Sequence, residues 1–121
     1  MEFFSRPRVI AALRALFWAA LVFAVVMALL PKPIPNPTDR LGDKVQHMLA
    51  FATLSFLGAL AYPVLARWRL ALALIALGAG IEAAQMIPML KRTASLLDFA
   101  ADAVVTVLVT GLMALILPRR A

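Results

Sequence analysis

The chain contains no cysteine. Disulfides and thiolate metal sites are therefore excluded, and cysteine usage carries no information on compartment. There is one histidine, His47, so no zinc signature of the H-E-x-x-H kind can form. No serine stands with a partner base in a recognisable catalytic order. No stretch alternates apolar and polar residues as a membrane barrel strand would. Acids are few, six against twelve Lys and Arg, for a net charge of +6. On a soluble chain that excess would suggest nucleic acid. Here the cations sit at the ends of apolar runs, where membrane topology signals are expected, and no soluble basic segment exists to bind nucleic acid.

What the chain has in abundance is apolar surface. The hydrophobic fraction is 64% and the mean hydropathy +0.96, against about 45–50% apolar residues in a soluble domain. A single domain of 121 residues cannot hide that much apolar area from water, so lipid must be the solvent for much of it.

Four apolar runs stand out, at about 9–30, 45–62, 70–87 and 99–117. Each is about 18–22 residues, enough to cross a hydrocarbon core of about 30 Å. Pro31, Pro33, Pro35 and Pro37 make the first connection extended, and Pro63, Pro88 and Pro118 end the other three runs. The predicted fold is all-α and integral to the membrane: four transmembrane helices packed as a small bundle in one domain, residues 1–121. Arg6, Arg8 and Arg14 ahead of the first run resemble a signal-peptide start. The run is too long for that, and no small-residue cleavage site follows it.

With four spans, Arg6, Arg8, Arg14, Arg67, Arg69, Arg119 and Arg120 share one side, and Lys32, Arg40, Lys44, Lys91 and Arg92 the other. The positive-inside rule then predicts both termini in the cytoplasm, N-in and C-in. Tyr62 and Trp68 flank the inner loop as interfacial anchors, and Arg14 is placed to snorkel to the same surface.

An ionisable group at the centre of a span costs about 2.5–3.5 kcal/mol on insertion scales, so each needs a reason. His47 is predicted one turn inside the second helix. Glu82 falls roughly 9 Å below the outer end of the third, with Gln85 on the same face. Asp102 falls one turn inside the fourth, below Asp98. Asp43, Lys44, Lys91 and Arg92 border the same layer. Three helices thus present polar groups to one outward-facing level, while the inner halves read as apolar apart from interfacial arginines.

Structural readings stand beside the functional ones. Asp43 with Gln46, and Ser95 with Asp98, have the spacing of capping boxes for the second and fourth helices. His47 alone fits a structural hydrogen-bond donor. Glu82 has no capping role, and its structural alternative is an ion pair with Arg92 or Lys44. Gly78, Gly80, Ala79, Ala83 and Ala84 give the third helix small faces for close packing, with Gly58 and Ala59 as the expected partner surface.

The ordered pattern Asp43-Lys44-x-x-His47-x-x-x-Phe51, Gly78-x-x-x-Glu82-x-x-Gln85, and Arg92-x-x-Ser95-x-x-Asp98-x-x-x-Asp102 resembles the VanZ-like family of small bacterial membrane proteins, named for a member associated with teicoplanin resistance. The resemblance runs from Asp43 to about Gly111. Two positions depart from the family pattern: Asp102 stands where asparagine is usual, and Val105 where glycine is frequent. The resemblance implies a multi-pass protein of the bacterial cytoplasmic (inner) membrane, acting at its outer face near cell-envelope precursors. It implies no particular reaction.

Three classes of function fit these residues. In the first, Asp43, Lys44, His47, Glu82, Gln85, Arg92, Asp98 and Asp102 form an outward-facing site for a membrane lipid or envelope-precursor head group, the cations meeting phosphate and the acids and amide meeting hydroxyls or amines. In the second, a membrane-embedded enzyme uses a His and carboxylate site. The candidates for a metal would be His47, Glu82, Asp98 and Asp102, although no metal motif is present. In the third, a small proton-coupled transporter, arranged as a homodimer, uses Glu82 as proton carrier. A purely structural subunit of a larger complex is the remaining reading. No cofactor is specified by any motif.

Overall fold

A computed structural model of the protein describes residues 3–29, 39–86 and 96–117, and the side chains of all of these except 39–44. The described residues are all-helical. A short 3-10 turn, Phe3–Ser5, precedes four α-helices: α1 (Pro7–Leu29), α2 (Asp39–Ala61), α3 (Arg67–Gln85) and α4 (Leu96–Ile116). Pro7 opens α1 at a position where its missing N–H costs nothing and its fixed φ suits the helix.

Side-chain bonds at the helix ends fix the relative directions. Arg14, early in α1, donates through Nε to the carbonyl of Ala61 at the end of α2, at 3.0 Å. Arg67, first in α3, donates through Nη2 to the carbonyl of Leu117, just past α4, at 2.9 Å. Gln85, last in α3, reaches the carbonyl of Ala28 near the end of α1. Hence α1 and α3 run one way, and α2 and α4 the other. The helices pack chiefly as α1 on α2, α2 on α4 and α3 on α4.

Burial is sparse on the most apolar helix. On α1 only Leu13, Phe17 and Ala28 are buried, while Leu16, Trp18, Val22, Phe23, Val26 and Met27 are about half exposed or more. An apolar face of that extent is stable only against lipid or another protein. The core is built on α2, where Phe51, Leu54, Ala59, Leu60 and Ala61 are buried, against Leu70, Leu74 and Ile81 of α3 and Met113 of α4.

Three helices, Pro7–Leu29, Arg67–Gln85 and Leu96–Ile116, are long and apolar enough to cross a membrane. The fourth expected span differs. The apolar part of α2 runs only Val45–Ala61, roughly 25 Å at 1.5 Å per residue. The helix itself starts six positions earlier, at Asp39, and those added turns carry Asp39, Arg40, Asp43 and Lys44. Apolar runs locate the part of a helix that tolerates lipid, not its first turn. For the same reason α3 and α4 each begin three residues before their apolar runs, at Arg67 and Leu96.

Two packing expectations are corrected. A Cβ on Gly58 would lie 2.8 Å from Leu70 Cδ1 and 3.1 Å from Phe17, so the close approach of α2 involves Leu70 and α1, not Gly78. Gly78 faces Phe51, 3.3 Å from such a Cβ, while Gly80 has nothing within 4 Å. Residues two apart on a helix point about 200° apart, so only one of these glycines can face a neighbour.

Candidate functional site: a buried His and carboxylate cluster

The sequence pattern that matters on α4 is a four-residue repeat, Asp98, Asp102, Thr106, Thr110, which puts all four on one face. Asp102, Thr106 and Thr110 are buried, and Met113 extends the same stripe. The helix therefore turns its polar edge inward. Each hydroxyl is satisfied within its own helix: Thr106 donates to the Asp102 carbonyl at 2.8 Å and Thr110 to the Thr106 carbonyl at 2.7 Å. Ser55 of α2 does the same with Phe51, at 2.7 Å. These bonds allow polar side chains to sit in an apolar interior without orphaned donors. The expectation that the helix halves away from the outward layer are purely apolar is thus incorrect: Ser55 and Thr110 lie there, buried.

At the other end of the stripe, Asp102 meets two residues from neighbouring helices. His47 Nδ1 is 3.7 Å from Asp102 Oδ2. One ligand atom from each of His47, Glu82 and Asp102 lies within 4.8 Å of the other two. Asp102 is 4% exposed and Glu82 9%, and the His47 side chain 16%. Three helices each supply one member. The shared level follows from the directions above: Glu82 is three residues before the end of α3, and Asp102 six residues into α4, about 9 Å from its start.

Of the eight residues singled out from the sequence, these three converge. Gln85 is directed elsewhere, since its amide Nε2 donates to Ala28 of α1 at 2.8 Å. Asp98 lies in the first turn of α4, half-buried and outside the cluster of three. Its position there suits the positive end of the helix dipole, while Ser95, its expected capping partner, lies outside the described residues. Asp43 lies four residues inside α2, which begins at Asp39. The side chains of Asp43 and Lys44, and all of Lys91 and Arg92, lie outside the described residues. Glu82 is nearer its helix end than expected, because α3 stops at Gln85, the next N–H (Met86) turning back to Ala83 at 3.3 Å.

A groove of about 440 Å³ between α1 and α2 is lined by Ala20, Phe23, Ala24, Met27, Ala50 and His47, among others. His47 therefore borders the groove while its Nδ1 faces Asp102. The three polar side chains come together among α2, α3 and α4, while this groove lies between α1 and α2.

The sequence reading missed Arg67. It is 8% exposed, and besides Leu117 its Nη1 donates to the Leu65 carbonyl at 3.3 Å and the Tyr62 carbonyl at 3.5 Å. It closes the end of the bundle opposite the cluster. An arginine two residues from a proline turn, followed by an apolar run, carries no signal separating this role from a loop cation. Arg14, expected to snorkel, lies over the Tyr62 ring at 4.6 Å and caps α2. Trp18 Nε1 donates to the Tyr62 hydroxyl at 2.7 Å.

No protein-family model, curated protein or solved structure matches the chain.

Proposed function

We propose that this chain is a multi-pass membrane protein that binds the polar head of a membrane amphiphile at the His47, Glu82 and Asp102 cluster, with the apolar tail in the groove between α1 and α2. The carrying observation is that one residue, His47, belongs to both features: it lines the groove and approaches Asp102 across 3.7 Å. A lipid-accessible apolar slot ending on a buried polar group matches an amphiphile, whose tail and head need those two environments side by side.

The described arginines support an orientation. Arg14, Arg67 and Arg69 sit at the end of the bundle away from the cluster, and Arg6 and Arg8 precede or open α1 at that same end. With α2 counted as a fourth span, that end faces the cytoplasm, and the cluster faces outward. The resemblance to the VanZ-like pattern supports the same reading. Three positions of that pattern converge, His47, Glu82 and Asp102, the last of them a departure where asparagine is usual, and its Phe51 and Gly78 pack together. On that reading the amphiphile is a cell-envelope lipid or precursor in a bacterial cytoplasmic membrane.

Native mass spectra of the protein isolated in mild detergent test this, compared with Glu82→Gln and Ala24→Phe. The expected result is a co-isolated lipid-class mass that is lost in both variants, since one alters the head site and the other fills the groove. An adduct that survives both substitutions, or no adduct in the wild type, would overturn the reading.

A further inference from the structure

We infer that His47, Glu82 and Asp102 hold a divalent first-row transition cation. The inference rests on the reading of the cluster as a ligand-taking site, but not on the identity of the amphiphile. The decisive geometry is the spacing of the pair already described. At 3.7 Å, His47 Nδ1 and Asp102 Oδ2 are too far apart for a charge-assisted hydrogen bond, which closes to about 2.7–2.9 Å. Two donors bound to one ion at about 2.0–2.2 Å, however, lie roughly 3–4 Å apart for coordination angles between 90° and 140°. The widest separation in the triad is within 4.8 Å, and a rotation of about 1 Å at one carboxylate brings all three inside the span of a single ion.

Ligand chemistry narrows the ion. One imidazole nitrogen and two carboxylate oxygens, with no sulfur, suit Zn²⁺, Mn²⁺ or Fe²⁺ better than a soft ion. The nitrogen disfavours Mg²⁺ and Ca²⁺, which take oxygen alone. The two carboxylates are 9% and 4% exposed, so the ion sits among side chains inside the bundle. Three protein ligands leave at least one coordination position open. That position is the natural partner for a phosphate or carboxylate on the amphiphile head. Among the described residues no other group of His, Asp and Glu offers such a set.

The test uses full-length protein purified through a tag without histidine and free of chelators, equilibrated with ZnCl₂ and passed through gel filtration. Elemental analysis is expected to find about one zinc per chain in the wild type. His47→Ala and Asp102→Ala are expected to bind at least about 10-fold more weakly. Ala24→Phe, which fills the groove without touching a ligand, is expected to keep the metal while losing the co-isolated lipid. Should the His47 and Asp102 variants fail to fold, the wild type alone suffices: cobalt substituted for zinc must give the visible d–d absorption of low-coordinate Co²⁺. Absence of that band together with no retained zinc overturns the inference, as does equal zinc retention in well-folded His47→Ala and Asp102→Ala. Zinc retained with no lipid in any preparation upholds the metal and removes the amphiphile reading instead.

Discussion

The side-chain amide of Gln85 donates to the carbonyl of Ala28 at 2.8 Å, joining the end of α3 to the end of α1. The last four carbonyls of any helix lack an intrahelical donor, and near lipid no water replaces it. Gln85 therefore acts as a cap supplied in trans. Ala28 is buried and lines the groove that His47 also lines, so the bond ties α3 to one wall of that groove.

Gln85→Met keeps the volume and removes the donor. It is expected to destabilise the protein by about 1–3 kcal/mol, the cost of leaving one buried acceptor unpaired, seen as a lower Tm in detergent. Zinc retention is expected to be unchanged, because Gln85 is not among the three clustered side chains. Normal stability with lost metal or lipid would assign Gln85 to the site.

Arg67 offers a sharper case. Its guanidinium serves the carbonyls of Leu117, Leu65 and Tyr62, and one ammonium cannot span that fan of acceptors. Arg67→Lys is expected to lose about 1–3 kcal/mol, and Arg67→Ala more, since it orphans several carbonyls and leaves a cavity. Measured unfolding in a graded denaturant would rank them. An Arg67→Ala protein as stable as wild type would mean the end of the bundle is closed by something else.

Much of this was legible in the sequence, and the misses have physical causes. The four helices and the convergence of His47, Glu82 and Asp102 followed from apolar runs and from the expense of charge in lipid. The start of α2 did not, because its first turns are polar and helical propensity does not depend on lipid. The continuation of Asp98 and Asp102 through Thr106 and Thr110 was visible as a repeat of four, but uncharged hydroxyls raise no alarm on a hydropathy scale. The interhelical bonds of Gln85 and Arg67 depend on which helix ends meet, and that is a property of the packing.

Gly78 and Gly80 form an internal control. Leucine at either position changes helix propensity equally, so that contribution cancels in the comparison. Gly78 faces Phe51 and Phe99, whereas Gly80 faces open space. Gly78→Leu is expected to be less stable than Gly80→Leu by about 1–3 kcal/mol, the usual cost of overpacking. Equal stabilities would mean that α2 and α3 can part without penalty. Replacing Phe51 with alanine in the Gly78→Leu background should recover part of the loss by making room.

The absence of cysteine makes the orientation directly measurable, because single cysteines can be introduced against a silent background. Met86 and Leu96 are exposed at the cluster end of the bundle, and Val64 is exposed in the turn between α2 and α3. In intact cells a membrane-impermeant maleimide is expected to label Met86→Cys and Leu96→Cys but not Val64→Cys, which should react only after permeabilisation. The reverse pattern would turn the cluster toward the cytoplasm and remove the envelope-precursor reading along with the orientation. Thr110→Cys adds a second distinction. It lies in the half of α4 away from the cluster, 3% exposed, on the same stripe as Thr106 and Asp102. Protection from the reagent on both sides is expected of a one-sided binding site. Labelling from the cytoplasmic side would mean that water reaches the polar stripe from below, and the alternating access of a proton-coupled transporter would then account for Glu82 better than a bound head group does.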